Sequence, residues 1–135
     1  MSAVAIRNAI VQHIEALNLP HPTKYPNSPG FTTPENQLWL RVSILMGEKG
    51  QLTIADTDEQ VGIVQIDIFS PKSSGALSAL GVADILDTAF SRLNPIQGNG
   101  VKIYVRSVMP ASPTDDDPWW LLRFSASIRC FVVKQ

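Results

Sequence analysis

The chain has 135 residues, 44% hydrophobic and 17% charged, with 11 basic against 12 acidic side chains, one Cys and a formal net charge of −1. Such a length supports one core-forming domain and such an apolar content argues against disorder. Near-neutrality argues against binding nucleic acid through phosphate neutralisation, and no apolar run approaches the ~20 residues of a spanning helix.

One cysteine, Cys130, excludes an intrachain disulfide and a cysteine-built zinc site. Arg7, His13 and Glu15 interrupt the apolar pattern of the first residues, which therefore do not read as a signal peptide. The charged share falls below the ~25% usual for soluble domains, so the surface has unusually little charge. The expectation is a single domain over 1–135.

Residues 2–17 carry Ile6, Ile10, Ile14 and Leu17 at helical spacing and predict an amphipathic helix that ends before Pro20. Residues 18–36 hold Pro20, Pro22, Pro26, Pro29 and Pro34, which rule out regular helix or a central strand. Residues 37–46 alternate strictly, with Leu38, Leu40, Val42, Ile44 and Met46 opposite Trp39 and Arg41. That is a strand. A charged connection is expected over 47–60, and a second strand over 61–69 pairs with the first as a hairpin. Residues 76–93 predict a second helix with Ala79, Val82, Leu86, Ala89, Phe90 and Leu93 on its buried stripe. Gly81 inside it suggests a close approach to the sheet, and Gly98-Asn99-Gly100 a tight turn. Strands at 101–109 and 119–133 follow, separated by a loop over 110–118. The order α-β-β-α-β-β gives an α+β fold, a four-stranded, mainly antiparallel sheet with both helices packed on one face.

The catalytic inventory is thin. His13 sits in a helix, His21 in the proline-rich loop, and Cys130 on the apolar side of its strand, where cysteine behaves as a small hydrophobe. Neither catalytic nor cofactor-binding residues are assigned, and no metal site, because Asp115-Asp116-Asp117 lacks calcium-loop spacing.

Charge is sorted more informatively. Opposite the apolar strand faces stand Arg41, Lys102, Arg106, Arg123 and Arg129 against Asp67, a net of +4. Trp39, Ile63, Phe69, Tyr104, Trp119, Leu121 and Phe131 share that face. Glu48, Asp56, Asp58 and Glu59 make segment 47–60 acidic, as Asp115, Asp116 and Asp117 make 110–118. Aromatic residues interleaved with arginine suit an interface. Candidate subunit or partner contacts are thus Trp39, Arg41, Asp67, Arg106, Trp119, Arg123 and Arg129 on the face. The acidic residues of the two loops join them. A rival reading puts Arg41, Asp67 and Arg123 around a pocket of a small enzyme or ligand-binding domain.

Trp39-Leu40-Arg41-Val42, Gly62-Ile63-Val64-Gln65-Ile66-Asp67-Ile68, Pro71, Gly75, and Ala83-Asp84-Ile85-Leu86 with Phe90 resemble a pattern in small proteins of bacteriophage tail gene clusters. Those in turn resemble the tail terminator, or tail completion, proteins of long-tailed phages such as lambda. The resemblance implies a structural protomer without catalysis or cofactor that forms a hexameric ring. The ring caps the tail tube, stops its polymerisation and offers a surface for head–tail joining. Implied partners are other copies, the tail tube protein and a head-completion or connector protein, with no sequence-specific nucleic acid and no membrane. The implied location is the head-proximal end of the virion tail, after assembly in the host cytoplasm. Another neck or head–tail connector component is the alternative within the same setting. Charge reversal at Arg41 or Arg123 is expected to weaken assembly more than folding.

Overall fold

A computed structural model describes residues 2–26, 30–51, 57–74, 77–98, 100–109, 113–116 and 118–133. Helix α1 covers Ser2–Glu15 and helix α2 Leu77–Ala89. The long strands are β2 (Trp39–Gln51), β3 (Thr57–Pro71), β5 (Val101–Met109) and β7 (Trp119–Val133). Three short ones accompany them, β1 (Thr23–Lys24), β4 (Ile96–Gly98) and β6 (Thr114–Asp116). They form one sheet in the order β1-β2-β3-β7-β5-β4, with β6 beside β7. Every pairing is antiparallel except β1 with β2.

The fold class stands as α+β with both helices on one face, but the expected four strands become seven. The added three are two or three residues long, too short to show a period in sequence. β1 lies within the proline-rich segment, where Leu40 N–H donates to the Pro22 carbonyl at 2.9 Å. β6 occupies part of the expected 110–118 loop and pairs Thr114 with Leu121 and Asp116 with Trp119. The expected 47–60 connection is largely strand as well, since β2 and β3 stay paired out to Gln51 and Asp58 past an irregularity between Met46 and Lys49. Backbone pairing extends the hairpin beyond the point where apolar alternation stops.

Alternation decides which face is buried. Leu40 and Val42 of β2, Val64, Ile66 and Ile68 of β3, Leu122 to Cys130 at every second position of β7, and Val101, Ile103 and Val105 of β5 line the helix face. α1 brings Ile6, Ala9, Ile10 and Ile14 to it; α2 brings Ala79, Val82 and Leu86, with Phe90 just past its end. α1 lies over β4 and β5, and α2 over β3 and β7. His13 joins the two helices. Its Nε2 lies 2.8 Å from the Ala89 carbonyl oxygen, so that nitrogen carries the proton, and its ring meets Phe90 edge-on at 5.4 Å.

Two local expectations change. α2 stops at Ala89, which leaves Leu93 87% exposed instead of on the buried stripe. Gly81 faces open space, whereas at Gly62 an added Cβ would stand 2.8 Å from the Leu45 carbonyl oxygen and 2.9 Å from the Met46 sulfur. The close approach is in the hairpin, not under the helix. The expected turn at 98–101 is present: Gly98 pairs with Val101, and Gly100 takes φ +78°.

Phe90 is fully buried and packs on Phe124 at 5.7 Å. Phe90→Ala should lower unfolding free energy by about 3–5 kcal/mol in a denaturant titration, as truncation of a buried aromatic ring leaves a cavity.

Candidate functional site

The face opposite the helices is built in rows by strand register. Trp39, Phe69 and Leu121 stand side by side across β2, β3 and β7. Arg41, Asp67 and Arg123 form the next row, then Ser43, Gln65 and Ser125, then Leu45, Ile63 and Ser127. The expected meeting of Arg41, Asp67 and Arg123 is thus a consequence of pairing geometry.

Asp67 is the centre of this face. Its side chain is 1% exposed, while those of Arg41 and Arg123 are 41% and 49% exposed. Arg41 donates from Nη2 to Oδ2 at 2.8 Å and from Nε at 3.2 Å. Arg123 donates from Nε to Oδ1 at 2.8 Å. Both carboxylate oxygens are taken, which offsets the cost of removing a charge from water. The arginine side chains still reach solvent, and the trio carries a net charge of +1. This row is a buried brace with exposed arms, and Arg41, Asp67 and Arg123 line none of the three recesses described.

Beside the brace the face is not open. Trp39 and Phe69 stack at 4.2 Å and 11°, both almost wholly buried. Trp119 meets Trp39 and Phe69 edge-on at 6.2 and 6.4 Å, and Phe31 lies 5.7 Å from Trp39. Arg41 completes the group, with its guanidinium carbon 5.1 Å from the Phe69 ring centre. The proline-rich segment therefore folds back onto the sheet and covers one end of a face expected to be exposed throughout. A recess of about 430 Å³ between Thr33–Asn36 and Pro71, Pro118 and Trp119 marks its border.

The remaining candidates separate. Arg129 pairs with Glu59 and lies over Phe131 at 4.9 Å; Glu59 belongs to the face, not to an acidic loop. Lys72 reaches Asp115 at 2.6 Å and lies over Trp120 at 5.4 Å, which ties β6 to the turn after β3. Asp116 is exposed at the end of β6. Arg106 is exposed and has no ion pair among the described residues. Glu48 and Asp58 lie in β2 and β3 by their backbone, whereas Asp56 and Asp117 fall outside the described residues. Sequence reasoning missed Phe31, which lies in no periodic element, and Lys72, whose partner Asp115 is distant in the chain. Among the described residues, no three His, Cys, Asp or Glu side chains gather as a metal site would need.

With Asp67 buried, the expected effect of charge reversal shifts. Arg41→Glu or Arg123→Glu places a second carboxylate beside Asp67, so folding is affected first. Asp67→Asn should lower stability by about 2–3 kcal/mol in denaturant, a figure reduced for the solvent exposure of both arginines. A pH effect arises in the core. Burial pushes the Cys130 thiol up from 9.0 to about 11. The folded chain thus holds this proton more tightly than the unfolded chain. That stabilisation is complete below about pH 9 and is lost as pH rises toward 11. Tyr25, raised by burial and then by Glu15, acts in the same direction. Denaturation midpoints followed from pH 8 to 11 should fall less steeply in Cys130→Ala than in the unsubstituted chain.

Comparison with known proteins follows the geometry. A solved structure, 23% identical, superposes with a TM-score of 0.72 over 96% of this chain and 94% of its own, a likeness of fold alone. No curated protein matches the sequence. No described helix is long and apolar enough to cross a membrane. A family model described as phage tail terminator protein matches residues 5–129. The chain belongs to that family, the phage tail terminator proteins, and so to the structural components of the phage virion.

Proposed function

We propose that this chain caps the phage tail tube. Copies assemble into a ring, six by analogy with lambda-like terminators, that seats on the last ring of tube subunits. The ring occupies the growing end and presents no second surface for tube subunits, so elongation stops. Its other side is left for head–tail joining. The mechanism is steric and needs no bond-making residue.

The family match over residues 5–129 carries this reading. The open face supports it. Arg41 and Arg123 are held by Asp67, and Arg129 by Glu59, so three of its five cations are already paired within the protomer. Ser43, Gln65, Ser125 and Ser127 surround Leu45 and Ile63, which are 56% and 43% exposed. A face of small polar and aliphatic groups loses little hydration when a neighbour covers it. By sequence, segments 47–60 and 110–118 are acidic, a sign that suits contact with a basic surface of a copy or of the tube.

Removal of the gene from an assembling phage should produce overlong tails, scored by negative-stain imaging. Normal tails detached from heads would instead assign the protein to the connector. Complementation with Ile63→Arg should restore length control poorly, while its melting temperature stays close to that of the unsubstituted chain. Normal tails with that variant would remove the open face from the contact.

A further inference from the structure

The sheet ends on both sides in incompletely paired strands. β1 covers β2 only at Leu40 and Arg41, and no described strand pairs the outer edge of β2 from Val42 onward. β4 covers β5 only from Val101 to Ile103, which leaves Tyr104–Met109 without a described outer neighbour. Each open stretch spans at least five residues, about 17 Å of strand. Outward backbone groups along such an edge can accept a further strand.

Direction distinguishes the possible partners. The four long strands, β2, β3, β7 and β5, are successively antiparallel, so β2 and β5 run in opposite senses. A copy rotated about an axis along the strands brings its β2 antiparallel to the first copy's β5. The same operation then repeats, and a heterologous contact of this kind closes into a ring. Pairing of β5 with β5 about a two-fold axis also gives antiparallel strands, but it brings two unpaired Arg106 side chains toward each other.

The β5 edge has a matching recess. A groove of about 980 Å³ runs along it, lined on the helix side by Phe90 to Leu93 and on the sheet by Tyr104 to Val108. Leu93, one of its lining residues, is 87% exposed. On the helix side of β2, Ile44 and Met46 are only half-buried, as a strand awaiting cover on that side would leave them. The groove carries Arg92 and Arg106 against one acid, Asp87, a net of +1, and by sequence segment 47–60 has four acids and one Lys, a net of −3.

We infer that copies of this chain join edge to edge, the outer edge of β2 of one entering the groove beside β5 of the next, so that one antiparallel sheet runs through the assembly. The inference rests on the ring reading and names the surface that builds the ring.

Mass in solution and amide hydrogen exchange of the full chain test it together. In the assembled species, the outward-facing amides of Val42, Ile44, Met46, Val105 and Val108 should exchange at least roughly tenfold more slowly than in dilute monomer. Ile44→Pro and Val108→Pro remove donors that face the two open edges; each, folded by circular dichroism, should be monomeric alone and form a dimer, nothing larger, when mixed. An Ile44→Pro variant that still dimerises would assign the contact to β5 with β5 and overturn the proposal. An assembly whose edge amides exchange as in the monomer would overturn the edge contact and leave the ring standing. A chain that stays monomeric with and without tail tubes would overturn both. The exchange measurement uses the unsubstituted chain and holds even where a proline variant does not fold.

Discussion

A carboxylate without water needs a donor at each oxygen, and here two arginines meet that need and organise the exposed side of this protein. Asp67 lies in a central strand, and its neighbours in register on either side are arginines. Remove the charge and two guanidinium groups lose the partner that aligns them; shift either strand by one residue and both contacts go to the wrong face. The trio thus works as a register lock across three strands, on the face where apolar packing cannot serve because no helix covers it. Arg41 also lies over Phe69, so the same lock positions the aromatic cluster beside it.

That arrangement divides the labour between the faces. The helix face is a dry core in which alternate residues of every long strand meet Ile, Leu and Phe of the helices. The other face is closed at one end by Phe31 and the proline-rich segment, and polar and flat at the other. Prolines suit such a covering segment because they lose little chain entropy on ordering and do not demand backbone partners. The uncovered part of this face is smaller than the whole and includes Leu45 and Ile63.

What could be read from the sequence was whatever repeats. Period-two alternation marked β2, β3, β5 and β7, and helical spacing marked α1 and α2, because both follow from burial on one side. The row of Arg41, Asp67 and Arg123 was visible as a set of like-facing residues, though not as a buried brace, since register joins strands 56 residues apart in the chain. The extension of β2 past Met46 was illegible because Gly47, Glu48, Lys49, Gly50 and Gln51 carry no apolar alternation. β1, β4 and β6 are too short to repeat anything. Phe31 and Lys72 found their partners through the path of the chain, which no local pattern encodes.

The order of the strands has a consequence for biogenesis. β7 follows the other described strands in the chain yet lies inside the sheet, paired along its length to β3 on one side and to β5 and β6 on the other. Until it leaves the ribosome, β3 has no partner on one side, Asp67 lacks Arg123, and the helices have half a sheet to cover. Contacts so distant in sequence form late and slowly. The two outer edges, by contrast, become fixed in relation to each other only when β7 joins them. A chain that stops short of β7 therefore has neither the complete Asp67 brace nor its outer strands in their native relation, so insertion of this one strand completes both faces of the sheet together.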